Sequence, residues 1–184
     1  MPEPEAPARY DATARALHWS VALLVLLQFP LAVYMDRFVE AFSQEQFRLY
    51  SLHKTIGVAI LLLVVVRLGW RLVSPPPPLP ASMPAWERRA AHTGHAALYL
   101  LLLAQPVVGL LHGFASGFPT VLLFGVTVPS LLATDKALTD LFGTAHFYLG
   151  WTFLAVVALH VAAALRHRFL LKDEILSRML PGAR

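Results

Sequence analysis

The sequence predicts an all-α fold, a single domain over residues 1–184 built as an integral membrane four-helix bundle, and three observations carry that prediction. Hydrophobic residues make up 57% of the chain, charged residues only 14%, and the mean hydropathy is +0.60, which leaves too little polar surface for a water-soluble domain of this size. Apolar runs long enough to cross a bilayer, about 17–25 residues, recur at about 16–35, 52–73, 92–114 and 146–166. The 15 Lys and Arg residues flank these runs instead of gathering on one polar face, so they read as membrane topology signals and not as a nucleic-acid surface.

Ahead of the first span stands "MPEPEAPARYDATAR", proline-rich and acidic at its start, without the basic segment or small-residue cleavage site of a signal peptide. The first span is therefore expected to be retained. The first connection, "MDRFVEAFSQEQFRLY", is short and mixed in charge. The second, "SPPPPLPASMPAWERRA", begins with four prolines that stop helix two and extend the chain. The third, "GFPTVLLFGVTVPSLL", is apolar but broken by two prolines and two glycines. It is expected to lie at the membrane surface or to pack over the mouth of the bundle.

One side of the membrane receives Arg9, Arg15, Arg67, Arg71, Arg88, Arg89, Arg166, Arg168, Lys172, Arg178 and Arg184; the other receives Arg37, Arg48, Lys54 and Lys136. Eleven against four puts both termini in the cytoplasm. The absence of cysteine excludes iron–sulfur clusters, zinc-thiolate sites, covalent c-type haem and disulfides. Any resident metal must then be held mainly by the eight histidines.

A charged side chain inside hydrocarbon costs about 2.5–3.5 kcal/mol even on lenient scales, so histidines within spans are functional suspects. His18 opens helix one near the cytoplasmic face, and His53 opens helix two near the outer face. His146 shares the level of His53, and His160, fourteen residues on, lies about 21 Å deeper, at the level of His18. Fourteen residues fall roughly 40° short of four turns, so both histidines of helix four look out from nearly one face. The layout is two imidazole pairs, His53 with His146 and His18 with His160, and facing imidazoles are what a six-coordinate b-type haem requires. Gly57 and Gly150 each follow a histidine of the outer pair by four residues and leave room on the ligand face for a flat macrocycle. The competing reading for any single one of these histidines is a hydrogen-bonded bundle or interfacial residue.

His92 and His95, at the start of helix three, are alternatives to His18 or His160 as ligands, and His112 reads as an outer interfacial residue without an assigned role. His167 follows His160 by seven residues, about two turns and 10 Å nearer the cytoplasm. It suits hydrogen bonding to a quinone carbonyl; the alternative is a basic cap on helix four shared with Arg166 and Arg168.

The stretches "RYDATARALHW", "LHKTIGVAILLLVVVRLGWRL", "AHTGHAALYLLLLAQPVVGLL", "FGVTVP" and "LHVAAALRHRFLLKD" together resemble the bacterial cytochrome b561 family of stand-alone four-helix di-haem proteins. The resemblance implies two haem b groups, the inner held by His18 and His160 and the outer by His53 and His146, with His167 in the region of a bound ubiquinone. It also implies an inner-membrane superoxide oxidase that passes electrons from periplasmic superoxide to ubiquinone. Superoxide crosses bilayers poorly, so cations at the outer mouth would gather it, with Arg37, Arg48 and Lys54 as candidates and Lys136 beside them. Relatives of this fold serve as haem subunits of hydrogenases and similar dehydrogenases, so the alternative is an electron conduit that docks such a partner. A third reading makes the histidines a proton or metal path through a transporter.

Overall fold

The computed structural model describes residues 9–180. Residues 1–8 of the stretch read as lacking signal-peptide features, and Arg184 of the charge count, lie outside them. Four helices account for the architecture: α1 (Ala12–Arg37), α2 (Gln44–Val73), α3 (Ala85–Ala115) and α4 (Lys136–Arg166). Each is long and apolar enough to cross a membrane. Each also starts before its apolar run, α4 by ten residues, and in α1, α2 and α4 the polar first turn carries its own cap. Asp11, Ser43 and Asp135 accept hydrogen bonds from the amides of Ala14, Gln46 and Leu138 and so satisfy otherwise orphaned donors. α3 begins after Pro84 with no side-chain cap.

Of the two positions expected for the third connection, the structure gives the second, an ordered hairpin packed over the mouth of the bundle. Thr120–Val121 (β1) and Thr127–Val128 (β2) pair antiparallel around a short 3-10 turn, Leu123–Gly125. Gly125 takes φ +76°, which a side chain would oppose. The Leu123 amide donates to Thr55 Oγ1 on α2 at 2.8 Å, and Ser130 Oγ donates to the Phe114 carbonyl on α3. These bonds fasten the hairpin over one end of the bundle, called here the hairpin end; at the opposite, terminal end the described residues begin and end.

Packing between helices is uneven. α3 runs closely along α4, α1 along α2, and α2 against α3, while α4 makes no comparable backbone approach to α1 or α2. A slot therefore separates α4 from the α1–α2 pair. Its middle is filled by Val21, Val25, Ile60, Val64, Leu101 and Phe153, with Val64 wholly buried, and Phe29 meets Phe153 across it with ring centres 5.9 Å apart. Above and below this apolar plug, histidines reach across.

Candidate functional site

At the hairpin end, His53 from α2 faces His146 from α4 with ring centres 6.2 Å apart and planes inclined by 76°. At the terminal end, His18 from α1 faces His160 from α4 at 6.4 Å and 68°. Both pairs read from the sequence are thus brought together, one on either side of the plug. His95 joins the terminal-end group, its ring centre 5.6 Å from that of His160, whereas His92 is exposed. Among the described residues, no three His, Cys, Asp or Glu side chains converge as a cage for a bare metal ion.

The hairpin-end pair has a supporting shell that the sequence reading missed. The Gln105 carbonyl lies 3.1 Å from His146 Nδ1, and since a carbonyl only accepts, the ring proton sits on Nδ1 and Nε2 is the acceptor nitrogen. Backbone carbonyls commonly fix metal-binding imidazoles in this way. The side-chain amide of Gln105 lies 3.3 Å from that Nε2 and donates to the His146 carbonyl at 3.0 Å. Gln28 on α1 does the same for the His53 carbonyl at 2.9 Å. The open positions at Gly57 and Gly150 receive these amides: a Cβ on Gly57 would stand 3.7 Å from Gln28 Nε2, and one on Gly150 3.1 Å from Gln105 Nε2. The glycine packed directly on a histidine of the two pairs is Gly109 of α3, where a Cβ would come within 2.8 Å of His146 Cε1. His53 Nδ1 is buried without a hydrogen-bond partner. Leaving such a group unpaired costs about 1–3 kcal/mol, so the ring is held there for something other than its own hydrogen bonding.

The terminal-end group lies beside Arg67 of α2, which donates to the Tyr99 hydroxyl at 3.0 Å and to the Ala14 carbonyl at 2.9 Å, tying α2 to α3 and α1. One turn further, Asp11 accepts from Trp70 Nε1 and from Ser74 Oγ as well as from the Ala14 amide. Those bonds, the Ala14 amide foremost, hold its carboxyl down at about 2.

With this geometry in place, comparison with known proteins decides the family: the model of the prokaryotic cytochrome b561 family matches residues 9–182. The chain belongs to that family. Cytochrome b561 homolog 2 of Escherichia coli is 38% identical over 175 residues, covering 95% of this chain and 92% of the relative. A probable superoxide oxidase of Yersinia pestis is 30% identical over 176 residues, covering 96% and 98%. Cytochrome b562 of Cereibacter sphaeroides is 31% identical over 179 residues, covering 93% and 94%. This cytochrome is thus a multi-pass bacterial membrane protein of the haem-b, electron-transferring kind.

The residues fit that cofactor. Imidazole nitrogen binds a first-row metal at about 2 Å, and the ring centre stands a little over ~1 Å behind it, so two imidazoles on opposite sides of one iron have centres about 6 Å apart. Both pairs meet that requirement, and the slot beside α4 lies where a flat group would enter.

A further part of this cytochrome is built by the turn after α4. His167–Leu171 form a π-helical turn, a local irregularity common at functional sites. Lys172, at φ 55°, then reverses the chain, so that the Asp173 amide bonds to the His167 carbonyl and the Asp173 carboxylate lies 2.5 Å from His167 Nδ1. Glu87 of α3 stands 3.6 Å from His167 Nε2 and is paired with Arg166. His167 is buried, at 8% exposure, on the wall of a cavity of about 280 Å³ that Trp86, Met83, Leu171 and Ile175 also line. The cation candidates fall at the hairpin end. Arg37 and Lys136 pair with Asp36 and Asp140, Arg48 is exposed, and Lys54 is half-buried, its Nζ 4.0 Å from the Cβ position of Gly113. His112 packs on Gly143 of α4, with Nε2 3.2 Å from that glycine's Cβ position.

Proposed function

We propose that this cytochrome oxidises superoxide at the hairpin end and reduces ubiquinone at the terminal end, holding one haem b between His53 and His146 and a second between His18 and His160. The observation that carries the proposal is the paired imidazoles at 6.2 and 6.4 Å on either side of an apolar plug, with a cavity beside His167 beyond the second pair. The probable superoxide oxidase among its relatives supports this choice of electron donor. The surplus of Lys and Arg at the terminal end orients that end to the cytoplasm and the hairpin end to the periplasm.

Bound haem supplies reversible one-electron chemistry. The protein's own residues do the rest. Arg37, Arg48 and Lys54 raise the local concentration of the superoxide anion. The Gln105 carbonyl keeps His146 in its ligating tautomer, and Gln28 and Gln105 anchor the backbone of both hairpin-end histidines, in space that Gly57 and Gly150 leave open. The plug of Val64 and Phe153 excludes water between the two levels, which disfavours a proton or metal path along the slot. His167 faces the quinone cavity, with Arg166 held beside it. Two superoxide anions each release one electron and leave as dioxygen; one quinone takes the two electrons and two protons and leaves as quinol.

Stopped-flow mixing of the purified cytochrome with superoxide and a short-chain ubiquinone tests this. The expected result is rapid reduction in the α band followed by quinol formation, with two haems per chain by pyridine haemochrome. Haems inert to superoxide but reoxidised by quinone would replace this reading with that of a conduit for a partner dehydrogenase.

A further inference from the structure

We propose that the tip of the hairpin, Leu123–Gly125 with Val126, is a lipid-binding surface that reaches down the outer flank of α2 and sits in the bilayer leaflet at the hairpin end, where headgroups give way to acyl chains.

Three observations meet at the tip. The first is depth. The Leu123 amide donates to Thr55 Oγ1 at 2.8 Å, and Thr55 stands three residues inside the apolar run that starts at about residue 52. The tip is therefore level with the start of the span, and Phe124 is one residue, about 4 Å of chain, away. The second is direction. Thr55 follows His53 by two residues, about 200° around the helix, so it leaves α2 on the side away from the slot that His53 faces. The strands stay over the mouth, where Thr120 is buried, and the turn between them overhangs the flank that continues into the lipid-facing surface of the span. The third is chemistry. From Phe118 to Thr134 the chain has no charged residue, whereas the other connection at this end carries Glu40 and is flanked by Asp36, Arg37, Glu45 and Arg48. Leu123 and Val126 are exposed, and Phe124 completely so.

The backbone of Phe124 points the same way. It takes φ 62°, in the left-handed region that a bulky residue rarely adopts. The side chain buries nothing against the chain, so packing within the protein does not offset that strain. In water the tip would combine a strained backbone with bare apolar surface; at the membrane interface, where aromatic rings gather, lipid covers it. Peptide groups that enter lipid need partners. The Leu123 amide has Thr55, and the Leu122 amide donates to the Val126 carbonyl at 2.7 Å. The contact also steadies what lies beneath. β1 carries Thr120 onto Gly113, beside which Lys54 Nζ ends, so a tip seated in lipid holds the roof over that cation.

The chain has no cysteine, so single-cysteine variants of the full-length protein take a nitroxide label at one place only. Phe124→Cys is labelled, reconstituted into phosphatidylethanolamine–phosphatidylglycerol vesicles, and probed by electron paramagnetic resonance for collision with oxygen and with a water-soluble nickel chelate. Leu62→Cys, exposed midway along α2, is the lipid reference, and Glu45→Cys, in its exposed first turn, is the water reference. The label at 124 should show an oxygen-to-nickel ratio several-fold above that at 45 and on the side of that at 62. Nickel collision equal to that at 45 puts the tip in water and overturns the proposal. Low collision with both reagents, with spin–spin broadening that unlabelled protein removes, means that a second copy covers the tip and overturns it equally. Val126→Cys, exposed beyond Gly125, gives the same reading where Phe124→Cys does not fold.

Discussion

Gly109→Ala should weaken the binding of one haem and spare the other. A methyl group at this position would stand 2.8 Å from His146 Cε1 and 3.1 Å from its Nδ1. Non-bonded carbons settle at about 3.5–4.0 Å, so the ring has to retreat by roughly 0.7–1.2 Å. Its Nδ1 already lies 3.1 Å from the Gln105 carbonyl, at the long end of the usual range, and a retreat of that size breaks the bond that fixes the tautomer. Overpacking costs about 1–3 kcal/mol, and the helix preference of Ala over Gly returns about 0.8–1 kcal/mol. A net loss of up to about 2 kcal/mol corresponds to haem binding weakened by up to about 30-fold at the hairpin-end pair. Titration of apoprotein with haem, followed in the Soret band, measures the affinity, and low-spin electron paramagnetic resonance reports which pair is affected. Gly69→Ala and Gly94→Ala are the controls, since a Cβ there meets nothing within 4 Å, and both should bind haem as wild type does. Two tightly bound haems with unchanged resonance in Gly109→Ala would refute the reasoning.

Either His53→Ala or His146→Ala should lower the haem-to-protein ratio from two to one and leave the terminal-end spectrum in place; loss of both haems would break the assignment of pairs. Lys54→Met should slow haem reduction by superoxide at low ionic strength and lose much of its salt dependence, measured by stopped flow across a salt series, because a steering charge acts through a screened field. Asp11 titrates at about 2 in the folded protein against an ordinary 3.8, so the stability it contributes is present above pH 3.8 and is lost as pH falls toward about 2. Asp11→Asn should therefore flatten the pH dependence of thermal unfolding within that window and leave it unaltered above.

The four spans and the level of each histidine could be read from the chain because both rest on simple repeats: hydropathy over bilayer length, and the rise and turn of a helix. The facing of His146 and His160 along one side of α4 needed nothing more. Contacts made by tertiary packing were out of reach. His95 and His18 lie at one depth, and only the helix arrangement sets His95 nearer to His160. Gly109 is an unremarked glycine in an apolar run until α4 is laid against it. Gln28 and Gln105 did leave a trace, as single polar residues deep in "LLVLLQFPLAV" and "LLLLAQPVVG", where a side-chain amide needs a partner. Glu87 and Asp173 left none, since each reaches His167 through a chain reversal: the proline loop before α3, and the left-handed residue at Lys172. The hairpin between β1 and β2 escaped because strands of two residues carry no periodicity.

Both imidazole pairs borrow their second member from α4, the last helix to leave the ribosome. While α1, α2 and α3 are being inserted, His18 and His53 lack the α4 histidines that the proposed ligation sets opposite them. Under the proposed ligation, haem loading follows insertion of the fourth helix, and one late event completes both redox centres together.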